Sequence, residues 1–251
     1  MDNQMLELIN SITSPLLIGH ESLPLKFYLS DDIYKDALLL CENEKYLTKI
    51  KSFSKEEIAE ADGLQGAYLY PRDIDSTQHI LISSAQNNLH KAYLSTAAHE
   101  VKHAINNTDF CVKYCQSDFN SLLSHPLLEN FNVWDEYTAR KVGHRTYCTV
   151  IMRTYMCYSS SALISKILDE DYPQRMQKLK DMTESRFQDI KHVKEALDIL
   201  ARFSVWKELF NADISQIDER LQTVMHVFDQ YDTVEELNLY EIITGIEELK
   251  E

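Results

Sequence analysis

The spacing of apolar residues changes along the chain, from strand-like near the start to helical afterwards. Two short apolar segments, residues 66–70 and 79–83, flank a polar turn and predict a β-hairpin. A third such segment, residues 24–29, predicts another short strand. From residue 88 onward, apolar residues recur mainly at steps of three and four, as on one face of a helix. The pattern therefore predicts an α+β protein that is mostly helical, with short antiparallel strands followed by a helical bundle.

The same periodicity predicts the individual helices. Ser54 and Glu57 form a capping-box pattern, which predicts that a short helix begins there. Asp213 and Gln216 resemble a second capping box near the end of the chain. The predicted helices cover residues 31–47, 54–63, 88–107, 134–158, 160–180, 183–210, 213–231 and 233–250.

A gradual change in character gives the predicted domain organisation. No internal repeat, low-complexity segment or proline-rich linker separates the strand-containing part from the helical part. We place the boundary near residue 160, with a mixed domain at residues 1–160 and a helical region at residues 161–251. The two parts could equally form one domain, because nothing at the boundary resembles a linker.

Composition and charge narrow the functional classes. The 251 residues include 25 Lys and Arg against 40 Asp and Glu, so the net charge is −15. Such acidity disfavours binding to nucleic acids or to anionic membranes, since both need Lys and Arg to neutralise phosphates. No apolar run approaches the roughly 18 residues of a membrane span. We therefore expect no nucleic-acid partner and no membrane association.

The N-terminus and the cysteines predict a compartment. The first ten residues, MDNQMLELIN, lack the basic segment that begins a secretory signal. The five cysteines are odd in number and scattered, which is typical of reduced thiols. These features predict a cytoplasmic protein.

The residues with the clearest chemical meaning are His99-Glu100-Val101-Lys102-His103. On a helix, His99 and His103 are one turn apart, so both imidazoles can reach one metal ion, for which Zn²⁺ is the usual choice. Glu100 lies beside the same cleft and can accept a proton from a metal-bound water. An apolar stripe (Leu94, Ala98, Val101 and Ile105) occupies the opposite face of this helix. The pattern predicts a zinc site on the face that the helix leaves uncovered.

A third ligand is expected from the next long helix. Glu136 lies near its predicted start, where a carboxylate can complete a His₂Glu site and leave one position for water. The alternative is that Glu136 and Arg140, four residues apart, form an ordinary helical ion pair. His125, in the irregular segment before this helix, is an alternative third ligand.

HEVKH, followed by the Glu-Tyr-Thr-Ala-Arg sequence at 136–140, resembles the zincin metallopeptidases in their gluzincin arrangement. The chain is also similar to small cytoplasmic zincins of bacteria and phages. The resemblance implies an antiparallel edge strand beside an active helix, with residues 79–83 as that strand, and a zincin-like core within residues 1–160. It also implies Zn²⁺ held by His99, His103 and Glu136, with Glu100 as the general base and acid.

The implied activity is hydrolysis of peptide bonds in a protein or peptide. It needs a donor for the oxyanion of the transition state, and the second helix offers Tyr137, Arg140, His144 and Tyr147 without a basis for choosing among them. Lys102 departs from the family, since most active members have an uncharged residue there. Arg140 also departs, because it stands where gluzincins have an aspartate.

Two alternatives to the peptidase stay open. One is a zincin-like metal-binding scaffold that acts in regulation or protein interaction without peptidase activity. The other is a helical interaction protein in which the motif arose by chance and binds no metal.

Overall fold

The computed structural model describes residues 1, 3–85, 91–184 and 190–250, and it separates into two compact units, residues 1–128 and 129–251. The chain is mostly helical with one small sheet, which confirms the α+β class expected from the apolar pattern. The division between the two units lies 32 residues before the domain boundary that the sequence predicts at residue 160. The boundary at residue 160 stays a prediction, because it was drawn from a change in sequence pattern and the two units are defined by compactness. No helix in the described part of the chain has the length and apolar character that crossing a membrane requires.

The first unit contains a three-stranded sheet in the order β1-β3-β2. Its strands are β1 (Leu25–Ser30), β2 (Gly66–Leu69) and β3 (Gln78–Ser83). β2 and β3 pair antiparallel, which confirms the predicted hairpin, whereas β1 runs parallel to β3.

The expectation that residues 79–83 form an edge strand is wrong. β3 is the central strand, and its residues are buried from Gln78 to Ile82. A strand covered on both faces has an apolar run instead of a strict alternation, as Ile80, Leu81 and Ile82 show. The edge strand whose first residue lies against Glu100 is β2, a segment of only four residues.

Short capped helices surround this sheet. Asn43 ends the continuity of the predicted 31–47 helix, because its side chain accepts a hydrogen bond from Tyr46 N at 2.9 Å and starts a new helix. The capping box of Ser54 and Glu57 is confirmed, with both reciprocal hydrogen bonds present. The helices of this unit are α1 (Asn3–Thr13), α2 (Ile33–Leu40), α3 (Glu44–Lys51), α4 (Lys55–Asp62), α5 (Tyr93–Tyr114) and α6 (Phe119–Leu122).

α5 is the central helix of the first unit. The four residues of its predicted apolar stripe, Leu94, Ala98, Val101 and Ile105, are all buried, and the helix packs against α1, β2 and β3. It runs seven residues beyond the predicted end at 107, and the predicted start at residue 88 lies outside the described residues. The long helix therefore holds its motif against the sheet by burying one continuous face.

The second unit is entirely helical in its described part. Its helices are α7 (Leu128–Thr146), α8 (Ser160–Ser165), α9 (Tyr172–Glu184), α10 (Ile190–Phe210), α11 (Glu219–Asp229) and α12 (Leu239–Lys250). Wider π-helical turns continue α7 over Tyr147–Tyr155 and join α8 to α9 over Lys166–Asp171.

The predicted start of the penultimate helix at Asp213 is wrong. Asp213 accepts a hydrogen bond from Ser215 N within a turn, whereas Asp218 caps α11 by accepting from Arg220 N at 3.0 Å. An aspartate two residues before a backbone N–H suits a turn as well as a helix start, so the pattern alone could not separate them.

Candidate metal centre

The two histidines of HEVKH point their outer ring nitrogens at one another. Their Nε2 atoms are 3.0 Å apart, and the rings stand nearly perpendicular with centroids 4.6 Å apart. Two nitrogens bound to one tetrahedral zinc lie about 3.3 Å apart, given bonds of about 2.0–2.1 Å. The helix therefore brings both candidate ligands to the separation that a shared metal ion requires, with a shift of a few tenths of an ångström.

Glu100 completes a compact cluster with these histidines. Its Oε1 lies 4.0 Å from His99 Nε2, and one ligand atom from each of the three residues falls within 4.8 Å of the others. In the described part of the chain, these three residues are the group of potential metal ligands that meets in this way. The distance from Glu100 to the nitrogen is longer than a hydrogen bond, which suits a carboxylate that contacts a water beside the metal.

The face that carries this cluster is largely covered. The side chains of His99 and Glu100 are only 12% and 7% exposed. The expectation of an open face is therefore wrong for these two residues. The motif is therefore not explained as part of an exposed, solvated helix face. Burying a carboxylate such as that of Glu100 is costly unless another group compensates its charge.

β2 provides part of that cover, at its first residue. A methyl group added at Gly66 would lie 2.5 Å from Thr96 Cγ2 and 3.0 Å from Glu100 Oε1. Only glycine allows the strand to come this close to α5. A glycine at the start of a strand often marks a close backbone approach, so Gly66 was a signal for this contact. The HEVKH motif itself indicates only the helix.

The electrostatic surroundings of Tyr46, on α3, include Glu100, which the sequence did not indicate. Burial chiefly, and then the charges of Cys41 and Glu100, raises the pKa of Tyr46, so its phenol stays protonated. A neutral hydroxyl group therefore lies within electrostatic reach of the Glu100 carboxylate.

His125 lies outside the cluster among the described residues. Its Nδ1 accepts a hydrogen bond from Leu127 N at 3.3 Å, and its ring packs against Phe110 with centroids 5.1 Å apart. These contacts give the side chain a structural role in the turn before α7.

Glu136, the predicted third ligand, belongs to the second unit. Its Oε1 accepts a hydrogen bond from Arg140 Nη2 at 2.9 Å, so the helical ion pair considered as an alternative is present. The Glu136 side chain is one-third exposed. An ion pair with one oxygen is compatible with metal binding by the other, and the assignment of Glu136 as a ligand stays a prediction.

The four residues considered as oxyanion donors also lie in the second unit. Tyr137 is fully buried and donates its hydroxyl to Asp229 Oδ1 at 2.8 Å, while the Tyr147 hydroxyl is 4.0 Å from Met156 Sδ. Arg140 forms ion pairs with carboxylates on both sides, since its Nε also lies 2.6 Å from Asp198 Oδ1. Their roles as oxyanion donors stay predictions.

His144, the fourth of these residues, is held as a neutral imidazole. Its Nδ1 lies 3.4 Å from Arg202 Nη1, and since arginine only donates, Nδ1 is the acceptor and the proton lies on Nε2. Burial first, and then the positive charges of Arg202, Arg175 and Arg140, lower the pKa of His144 well below its ordinary value.

Comparison of the chain with protein-family models, with curated proteins and with solved structures finds no match. The functional assignment therefore depends on the geometry of the site itself.

Proposed function

We propose that the protein is a zinc-dependent metallopeptidase that hydrolyses peptide bonds of a cytoplasmic protein or peptide. The observation that carries the proposal is the convergence of His99 Nε2 and His103 Nε2, 3.0 Å apart, beside the buried carboxylate of Glu100. Nitrogen donors one helical turn apart suit Zn²⁺, and the adjacent carboxylate suits proton transfer.

The residues of this chain would divide the chemistry among them. His99, His103 and Glu136 would hold the ion, and zinc, when bound, polarises the scissile carbonyl and acidifies water. Glu100 accepts the proton of the attacking water and passes it to the departing amine. Its burial supports this role, because a carboxylate in a poorly solvated site is a stronger proton acceptor than one in water.

β2 suits the binding of an extended substrate. In the described part of the chain, β3 pairs with one edge of β2 and no strand pairs with the other edge. Gly66 at its start lies against Glu100, so a peptide added along this edge would pass close to the general base.

The experiment that tests this function is Glu100→Gln, measured for both zinc content and hydrolysis. The amide keeps the shape of the side chain and removes the base, so zinc binding and folding should survive. Hydrolysis should fall by roughly 10²–10⁴-fold, the usual contribution of a positioned acid–base group. Because the substrate is unidentified, the readout is a proteome-wide comparison of cleavage products in cells.

Two controls make the result interpretable. Glu7→Gln changes the same charge at an exposed position of α1 and should leave cleavage unchanged, whereas His99→Ala should abolish stoichiometric zinc. Identical cleavage by wild type and Glu100→Gln, with zinc bound in both, would support the metal-binding scaffold instead. Absence of zinc from wild-type protein purified without chelators would contradict the metal site itself.

A further inference from the structure

A groove of about 460 Å³ lies between helix α1 and strand β1 in the first unit. It is lined by three consecutive residues of β1, Leu25, Lys26 and Phe27. Leu6 and Asn10 of α1 also line it. Consecutive side chains of a strand point to opposite faces of the sheet, so a cavity that touches three in a row lies at the edge of the strand. The groove therefore runs along the edge of β1 that faces away from β3.

This edge of β1 carries backbone groups that the sheet does not use. β3 pairs with the other edge, and in the described part of the chain no strand pairs with this one. Gln78 N donates to Pro24 O at 2.9 Å, so the backbone of Pro24 faces β3. Because backbone groups alternate between the two edges along a strand, the N–H and C=O of Phe27 face the groove. No side chain or loop backbone among the described residues bonds to these two groups.

The walls of the groove are mainly apolar. Leu6, Leu17 and Leu23 line it beside β1, and Leu6 is 38% exposed although its side chain is apolar. Asn10 is exposed as well, and its side-chain amide makes no hydrogen bond with any residue that the structure describes. The groove therefore offers an apolar surface together with amide groups that can donate and accept, which is the chemistry that an extended peptide requires.

Lys26 gives the groove a positive charge. Its side chain is exposed, and its Nζ lies 5.2 Å from the centroid of the Tyr28 ring. None of the described carboxylates forms an ion pair with it, in a chain whose net charge is −15. A lysine without a carboxylate partner beside an apolar groove favours a ligand that carries a carboxylate.

We propose that this groove binds an extended segment of a partner protein, which adds as a strand to the free edge of β1. The segment carries a large apolar residue for the leucine-lined wall and a carboxylate for Lys26. An acyl chain would suit the wall, but it would cover the N–H and C=O of Phe27 without replacing their hydrogen bonds to water, which is costly. A second copy of the chain would bring another −15 charge and a second Lys26, so both charges oppose self-association. The edge lies on the opposite side of the sheet from β2, so the proposal does not depend on the peptidase activity.

The test titrates the full-length Glu100→Gln protein, in which cleavage cannot interfere, with acetyl-Thr-Val-Leu-Val-Glu-Thr-amide. This peptide favours the extended conformation and has an apolar centre and one carboxylate. The backbone N–H signal of Phe27, followed by NMR, should shift with saturation. The absence of a saturable shift at Phe27 would overturn the proposal. A saturable shift confined to Gly66 would also overturn it, because the peptide would then lie along β2.

Two modified peptides test the strand pairing itself. One is N-methylated at the leucine and the other at the valine that follows it. Because backbone groups alternate along a strand, one of these two N–H groups faces β1, and its methylation should weaken binding about tenfold or more. Binding of both modified peptides as tightly as the parent would overturn the proposal. Tighter binding of dodecanoate than of the parent peptide would overturn it in favour of an acyl ligand.

A matched pair of substitutions on α1 tests the location. Asn10→Trp and Glu7→Trp place the same large side chain at exposed positions of this helix, the first within the groove and the second outside its lining. Asn10→Trp should weaken binding of the parent peptide about tenfold or more by filling the groove, whereas Glu7→Trp should leave it unchanged. Equal effects of the two substitutions would contradict binding in the groove.

A second pair tests the charge of Lys26 without changing α1. Lys26→Glu and Lys35→Glu alter the net charge equally, and Lys35 is an exposed residue of α2 that does not line the groove. Lys26→Glu should weaken binding of the parent peptide about fivefold, the upper range for an exposed ion pair, and should strengthen binding of a peptide with lysine in place of glutamate. Equal weakening by both substitutions would show general electrostatic repulsion and would overturn the role of Lys26.

Discussion

Glu100 is the single residue whose surroundings say most about the protein. Its carboxylate is 7% exposed and lies 4.0 Å from His99 Nε2, with Gly66 pressed against it on the other side. An ordinary surface glutamate would extend into water, and a glutamate that only stabilised a helix would not need a glycine above it. The position of Glu100 suits a carboxylate that transfers a proton in a site with little access to solvent.

The choice of the third ligand also belongs to the level of residues, and it lies between two neighbours, Asp135 and Glu136. Asp135 is buried, whereas the side chain of Glu136 is one-third exposed. We expect Glu136→Gln to weaken zinc binding by more than about 100-fold, since even the loss of outer-shell partners weakens it about 10–100-fold. Asp135→Asn should have a much smaller effect on zinc, measured by competition with a chelator. The reverse order would transfer the ligand role to Asp135.

The part of the site that lies within one turn of helix could be predicted from the sequence. His99 and His103 are four residues apart, so any helix brings their ring nitrogens together, independently of the rest of the fold. The spacing in the sequence was therefore enough to predict this pair. Gly66 lies against Glu100 only through the packing of β2 on α5, which no local spacing encodes.

At the level of elements, the contact between β2 and α5 determines the shape of the site. Gly66→Ala would place a methyl group 2.5 Å from Thr96 Cγ2 and 3.0 Å from Leu81 O, so strand and helix must separate. We expect a loss of about 1–3 kcal/mol in the free energy of unfolding, as for other overpacked positions, measured by denaturant titration. Thr96→Ser in the same chain should restore part of the stability, because it removes the closest contact.

Gly245 gives a matched control for this substitution. A methyl group there would approach Val224 Cγ2 at an ordinary 3.8 Å, within α12. Gly245→Ala should therefore stabilise the protein by about 0.5–1 kcal/mol through helix propensity. Equal effects of the two substitutions would show that β2 yields easily and that the close approach at Gly66 does not constrain the site.

Elements were predicted well wherever a single face is buried, as in α5 and the hairpin. The central position of β3 was missed because its partner β1 is separated from it by three helices in sequence, and pairing between distant strands leaves no local pattern. The π-helical turns after Thr146 were also missed. An apolar spacing that suits an α-helix tolerates one extra residue in a turn without a visible change.

For the molecule as a whole, buried His144 predicts a dependence of stability on pH. The pKa of His144 in the folded state lies well below the ordinary value. In the unfolded chain the imidazole therefore binds a proton near pH 6.5, whereas in the folded chain it stays neutral at that pH. The stability that neutral His144 allows is fully present above pH 6.5. As the pH falls below this value, the free energy of unfolding decreases by up to about 1.4 kcal/mol per pH unit.

The corresponding variant is His144→Gln, compared with wild type in denaturant titrations at pH 7.5 and pH 5. The decrease in unfolding free energy between these pH values should be smaller in the variant, since one titrating group is gone. His226→Gln, at an exposed position of α11, should leave the decrease as it is in wild type. An unchanged decrease in His144→Gln would show that the imidazole accepts a proton inside the folded protein.

The shortness of β2 has a consequence for selectivity. Four residues offer outward-facing backbone groups at only about two positions, since alternate residues of an antiparallel strand point their hydrogen bonds away from the partner. A peptide held there would be recognised by its extended backbone, with little reading of its side chains. The proposed enzyme would then choose among proteins by their state of folding, since a segment must be unfolded to lie along the strand, and a proline at a bonding position would protect it.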